Sequence, residues 1–233
     1  MTVEKTSATG RRTNGAATRK IARRSAPSAT VEPQRRPFVP EPPPHDEPPV
    51  SWFPVLAYDQ MDPEVRALLE KAESRAGFCP NVFRAFAWRP SRFLKWFAYY
   101  NELMTGASGL TRAEREMVAV AVSMQNRCLY CLVAHGASLR QLTGDPVLAD
   151  RITLDYRRAG LKSRERAMLD YAVKITTHME DCSPEDVVQL KSLGFTDEDV
   201  WDIAEVAAMF NFTNRLAAAT GQLPNREYNG MAR

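Results

Sequence analysis

From residue 51 onward, apolar residues recur at intervals of three and four, and the period-two alternation that strands leave is almost missing. Asp62-Pro63 opens a helix carrying Val65, Leu68, Leu69, Ala72 and Ala76, which Gly77 closes. Pro80 and Pro90 open two more, the second placing Phe93, Leu94, Phe97, Tyr100, Leu103 and Met104 at helical spacing before Gly106 and Gly109 interrupt. Thr111 and Glu114 form a capping-box pattern ahead of the apolar run from Met117 to Met124. The next helix is expected from near Cys128 to about Leu142, where Thr143-Gly144-Asp145-Pro146 ends it and begins another. Later starts fall at Ser163, Ser183-Pro184 and Thr196, the last leading a long segment with Val200, Ile203, Ala204, Ala207, Phe210 and Leu216. The pattern predicts an all-α bundle and excludes an α/β enzyme. Gly109-Leu110-Thr111 with Glu114-Arg115 recurs as Gly160-Leu161-Lys162-Ser163 with Glu165-Arg166, a weak echo in favour of a duplicated helical unit.

Composition divides the 233 residues in two. Residues 1–50 are basic, rich in small residues and then dense in proline, with little more than Ile21 to bury before Thr30. Such a segment cannot offset its ordering entropy, so a disordered tail is expected ahead of one helical domain over 51–233. Nine Lys and Arg against three Glu up to Pro44 leave the rest of the chain mildly acidic although the whole carries +3. That balance argues against a nucleic-acid-binding body. No run of eighteen apolar residues and no apolar stretch behind the N-terminal charges is present, so neither a membrane span nor a secretory signal is expected. A cytoplasmic protein follows, with an organelle transit peptide as the rival reading of the Arg-rich start.

Two of the four cysteines stand three residues apart in Cys128-Leu-Tyr-Cys131-Leu-Val-Ala-His135. On one helix Cys128, Cys131 and His135 share a face, within about 60° of one another, and residues three apart are neighbours at about 5–6 Å, inside disulfide range. A helix N-terminus favours thiolate over thiol, and a low-pKa thiol beside a second one is oxidised by peroxide to a sulfenic acid that the neighbour resolves to a disulfide. His135 is placed to hold or move a proton. Glu116, in Glu-Met-Val-Ala-Val-Ala-Val, is either a buried carboxylate that needs a partner, His135 being the natural one, or a surface residue beside Arg112 and Glu114.

The run Glu116-x11-Cys128-x2-Cys131-x3-His135 resembles the signature of the AhpD-like alkylhydroperoxidases, within the carboxymuconolactone decarboxylase-related family. Gly77-Phe78-Cys79-Pro80-Asn81 followed by Pro90 resembles the upstream motif of the peroxidase-related branch, and the resemblance extends over about Ser51 to Ala218. It implies an AhpD-like helical bundle and a hydroperoxide-reducing enzyme. By the same resemblance Cys131 is the peroxidatic thiol, Cys128 the proton donor and resolving thiol, and Glu116 and His135 members of a proton relay. Where the best-known member has a histidine before the second cysteine, this chain has Tyr130, which offers a hydroxyl but no imidazole. The resemblance also implies a homo-oligomer and a thioredoxin-like or lipoyl-carrying reductant.

Other readings compete. A decarboxylase or lactone-processing enzyme on the same fold does not need the paired cysteines, and a non-catalytic redox sensor would form the disulfide without turnover. Zinc on the pair would draw Glu116, His178 or Cys182 as further ligands. No Gly-rich dinucleotide fingerprint follows a strand, so neither NAD(P)H nor flavin is expected and no cofactor is assigned. Cys79 and Cys182 read as buried or incidental thiols, His178 as a helix-end residue and His45 as part of the tail. The aromatic set Trp88, Phe93, Trp96, Phe97, Tyr99 and Tyr100 reads as core or subunit interface, part of it available to line a pocket.

Overall fold

The computed structural model describes residues 49–233; the tail expected over residues 1–50, with His45, lies outside them apart from its last two residues. Among the described residues there are nine α-helices and no strand. They are α1 (Pro63–Ala76), α2 (Asn81–Phe86), α3 (Pro90–Thr105), α4 (Arg112–Gln125), α5 (Leu129–Thr143), α6 (Pro146–Asp155), α7 (Ser163–Thr177), α8 (Pro184–Ser192) and α9 (Asp197–Ala219). The boundaries follow the punctuation in the sequence. Asp62 caps α1 through the Glu64 and Val65 N–H groups, and Gly77 ends it in the left-handed region at φ 80°. Thr111 and Glu114 close the expected capping box, with Glu114 N–H donating to Thr111 Oγ1 at 3.1 Å and Thr111 N–H to Glu114 Oε2 at 2.8 Å. The echo motif opens α7 in part the same way, Lys162 N–H donating to Glu165 Oε2 at 3.0 Å, and α4 and α7 pack against each other.

Helix α4 is the axis of the bundle, packed against α5, α6, α7 and α9. All ten residues from Glu114 to Ser123 are buried. A helix apolar all round is one surrounded on every side, which is why the stretch Met117–Val122 shows no polar face. The three charged residues that enter this environment are each engaged. Arg115 donates through Nη1 to the carbonyls of Leu103 and Gly106 at 3.0 and 3.1 Å, while Glu114 pairs with Arg164 and Glu116 with His135. A second apolar cluster joins α1 to α3 around Val65, Leu69 and Phe93, on which Phe83, Phe86, Trp96 and Phe97 pack edge to face. The aromatic set therefore divides: Phe93, Trp96, Phe97 and Tyr100 are core or packed on it, whereas Trp88 and Tyr99 are exposed.

Beyond α9 the chain turns back. Gly221, at φ 64°, lies under the Trp52 ring, where a Cβ would meet ring atoms at 2.2 Å, so only glycine fits the turn. The last residues form a 3-10 turn, Arg226–Asn229, against α5. Buried Arg140 holds it there, donating through Nε to the Met231 carbonyl at 2.9 Å and through Nη2 to that of Tyr228 at 2.6 Å. The family resemblance stops at about Ala218 and carried no expectation for this segment.

Candidate active site

The link between α4 and α5 sets the geometry. Asn126 ends α4, and Arg127 follows in the left-handed region at φ 52°. Arg127 N–H donates to Met124 O at 3.2 Å and Cys128 N–H to Ser123 O at 3.1 Å, the paired bonds of a Schellman turn with arginine where glycine is usual. The turn delivers Cys128 as the cap residue of α5, and the helix expected from near Cys128 begins at Leu129. The Cys128 sulfur lies toward the N–H groups of Tyr130 and Cys131, and Cys131 occupies the first turn beside it.

Both thiols are free and buried, side by side at the start of α5. The neighbouring thiol is the largest influence on either group. Together with the helix N–H groups and His135, Cys131 brings the Cys128 thiol down to about 7, against the opposing effect of burial. Cys128 and burial both push Cys131 well up, although Asn214 and Ser123 oppose the rise. Those two belong to a buried polar group beneath the pair. Asn214 donates to Ser123 Oγ at 3.0 Å and accepts from Asn126 at 2.9 Å.

The structure brings Glu116 to His135: Oε2 stands 2.7 Å from Nδ1, with both side chains largely buried. Of the two sequence readings of Glu116, the buried, partnered one describes it. The bond occupies Nδ1 and leaves Nε2 as the free ring nitrogen, while Phe210 packs edge-on against the ring at 4.6 Å. The rival zinc ligands are elsewhere: His178 and Cys182 are exposed beyond the end of α7, and His178 contacts the Thr177 hydroxyl. Among the described residues no three His, Cys, Asp or Glu side chains are grouped to hold a metal ion. Cys79 is buried near Tyr58.

Two cavities flank the cysteine pair. One, of about 90 Å³, is lined by Cys131 and His135 together with Tyr100, Tyr130, Phe210 and Tyr228. It has room for roughly three waters or a small polar head group. The other, of about 290 Å³, is lined by Cys128, Arg127, Leu129, Trp52 and Gln222. The two sulfurs therefore open in different directions. Sequence reasoning found the four residues of the cluster, held Tyr100 in the aromatic set available to line a pocket, and missed Ser123, Asn214 and Tyr228. The amides of Phe210-Asn-Phe-Thr-Asn214, following the apolar run Val206–Phe210 of α9, were the available signal, since buried amides need partners.

Comparison with known proteins gives the family and the fold. The carboxymuconolactone decarboxylase family model matches residues 92–146, which include the whole of the cluster. A peroxidase-related protein from Ralstonia eutropha JMP134, described as an alkylhydroperoxidase AhpD core, is 42% identical over 80% of this chain and 98% of its own, with a TM-score of 0.79. A peroxidase-related protein from Silicibacter sp. TM1040 is 43% identical over 79% of this chain and 96% of its own, with a TM-score of 0.76. The debrominase Bmp8 shares the fold alone, at 17% identity and a TM-score of 0.65, over 78% of this chain and 95% of its own. Among curated proteins nothing matches. No helix among the described residues is long and apolar enough to cross a membrane.

Proposed function

We propose that this chain, which belongs to the AhpD-like, carboxymuconolactone decarboxylase-related family, is a thiol-dependent hydroperoxide reductase. The observation that carries the reading is the shared cavity: Cys131 and His135, the latter held by Glu116, line the same small space. In this mechanism His135 takes the Cys131 proton as the sulfur attacks the terminal oxygen of the hydroperoxide. The S–O bond forms, the O–O bond breaks, and a sulfenic acid and an alcohol result. Cys128 then attacks the sulfenic sulfur, a disulfide forms and water leaves. A protein-borne thiol, thioredoxin-like or lipoyl, reduces the disulfide, and the cavity beside Cys128 gives it a separate approach.

The lowered Cys128 thiol favours a second reading with the roles exchanged, in which Cys128 attacks peroxide and Cys131 resolves. One experiment separates the two. Each single Cys→Ser variant is treated with one equivalent of tert-butyl hydroperoxide and a sulfenic acid trap, and the adduct is mapped by mass spectrometry. An adduct on Cys131 in Cys128→Ser, with turnover lost in Cys131→Ser, supports the first reading, and an adduct on Cys128 alone supports the second. Full peroxidase activity in both variants, given a working reductant, defeats both. Oxidation of the native pair without repeated turnover would instead identify a redox sensor. The exposed aromatics Phe53, Trp88 and Phe212, which line a groove of about 420 Å³, also fit a homo-oligomer. Sedimentation as a monomer at micromolar concentration would count against that assembly.

A further inference from the structure

The peroxide reaction leaves an oxyanion as well as a sulfenic acid. The oxygen displaced from Cys131's attack carries the electron pair of the broken O–O bond and needs a proton within the cavity. Five hydroxyl-bearing residues line that cavity, Tyr100, Tyr130, Ser138, Thr213 and Tyr228, of which Ser138 and Thr213 donate to the carbonyls of Ala134 and Met209. Tyr130 is committed elsewhere. Its oxygen accepts from the Val82 N–H at 3.1 Å. Tyr100 packs edge-on to His135, whereas Tyr228 packs with the cysteines, and among the described residues no side chain takes the Tyr228 proton.

Position supports the same residue. Tyr228 packs against the Cys128, Tyr130 and Cys131 cluster. Its ring stands edge-on to Phe78 at 4.9 Å and 90°, and the Arg140 guanidinium fixes its backbone carbonyl. A C-terminal residue held by three independent contacts against a reactive thiol is placed as part of a site. Burial pushes its phenol up to about 12, so it stays protonated at neutral pH and serves as donor, not base.

We propose that Tyr228 is the acid of the peroxide step, donating its hydroxyl proton to the oxygen leaving from the O–O bond. The inference rests on the peroxidase reading with Cys131 as attacking thiol. His135 takes the Cys131 proton, the thiolate attacks, the departing alkoxide takes the proton of Tyr228, and the imidazolium returns one to the phenolate. The sum is thiol plus hydroperoxide giving sulfenic acid plus alcohol.

The test compares two oxidants in the full-length Cys128→Ser protein with and without Tyr228→Phe, following single-turnover loss of the Cys131 thiol. tert-Butyl hydroperoxide expels a basic alkoxide and needs an acid; peracetic acid expels acetate, which needs none. We expect Tyr228→Phe to slow the first oxidant by roughly 10²-fold, the usual scale for a positioned acid or a single oxyanion donor. The peracetic acid rate should stay close to that of the parent. An equal loss with both oxidants would show that the phenol only shapes the cavity, and no loss with either would show that it does not act; both overturn the proposal while leaving the peroxidase reading intact. If the parent's Cys131 reacts with neither oxidant, the peroxidase reading fails first and this proposal with it.

Discussion

Glu116 and His135 stand nineteen residues apart in sequence, on α4 and α5, and meet at 2.7 Å inside the protein. Neither helix alone gives the other side chain a reason to be buried. A carboxylate in the middle of an all-buried helix is tolerated because the imidazole reaches it, and the imidazole is held in one orientation because the carboxylate is fixed.

From that pairing, His135→Gln should slow single-turnover oxidation of the cysteine pair by about 10²-fold or more while the far-UV spectrum stays unchanged. Glu116→Gln keeps the shape and loses the charge, so it should also slow the reaction, by less than the histidine variant. A near-parental rate for His135→Gln would reduce the pair to a structural contact.

The thiol bound in the α5 cap predicts a pH profile. Cys128 is lowered to about 7 mainly by the neighbouring Cys131 thiol, so alkylation by iodoacetamide should rise through a midpoint near pH 7 and level off above it. Cys131→Ala removes that neighbour and should move the midpoint upward, toward the ordinary thiol range. An unmoved midpoint would assign the lowering to the helix end alone.

Asn214 bears on both stability and reactivity. Asn214→Ala strips a buried side chain of its bond to Ser123 and leaves Asn126 short of one acceptor, at a cost of about 1–3 kcal/mol in chemical denaturation. Asn214 also opposes the rise of the Cys131 thiol, so the variant should be oxidised more slowly at a given pH. Stability lost with an unchanged oxidation rate would limit Asn214 to packing.

Arg140→Ala should free the C-terminal segment, since the Met231 and Tyr228 carbonyls both lose their donor. Limited trypsinolysis should then cut after Arg226 well before it does in the parent. Cleavage at the parental rate would mean that Phe78 and Tyr130 hold Tyr228 without the guanidinium.

Most helix boundaries were legible because they are local: Asp62-Pro63, the Thr111–Glu114 box and Gly144 act within a few residues of themselves. The cluster of Cys128, Cys131 and His135 was legible for the same reason, lying on one turn sequence and one helix. The left-handed turn ahead of Cys128 was not legible because arginine, not glycine, takes it at position 127. Tyr228 and Asn214 were not legible because they reach the cysteines through the packing of α9 and the return of the C-terminus, 91 or more residues away in the bonds to Ser123 and from Arg140 to Met231. Spacing along a chain carries no trace of such contacts.

The burial of α4 from Glu114 to Ser123 has a consequence for how this protein tolerates change. A helix with a wet side can drift there while its dry side is kept; α4 has no wet side over ten residues, so a saturation scan should find almost no permissive substitution across it, in contrast to largely exposed α8. Glu116 lies inside that intolerant stretch. Variation able to retune the site therefore falls to its walls, in α2, α3 and α9, where a side chain can change without reopening the centre of the bundle.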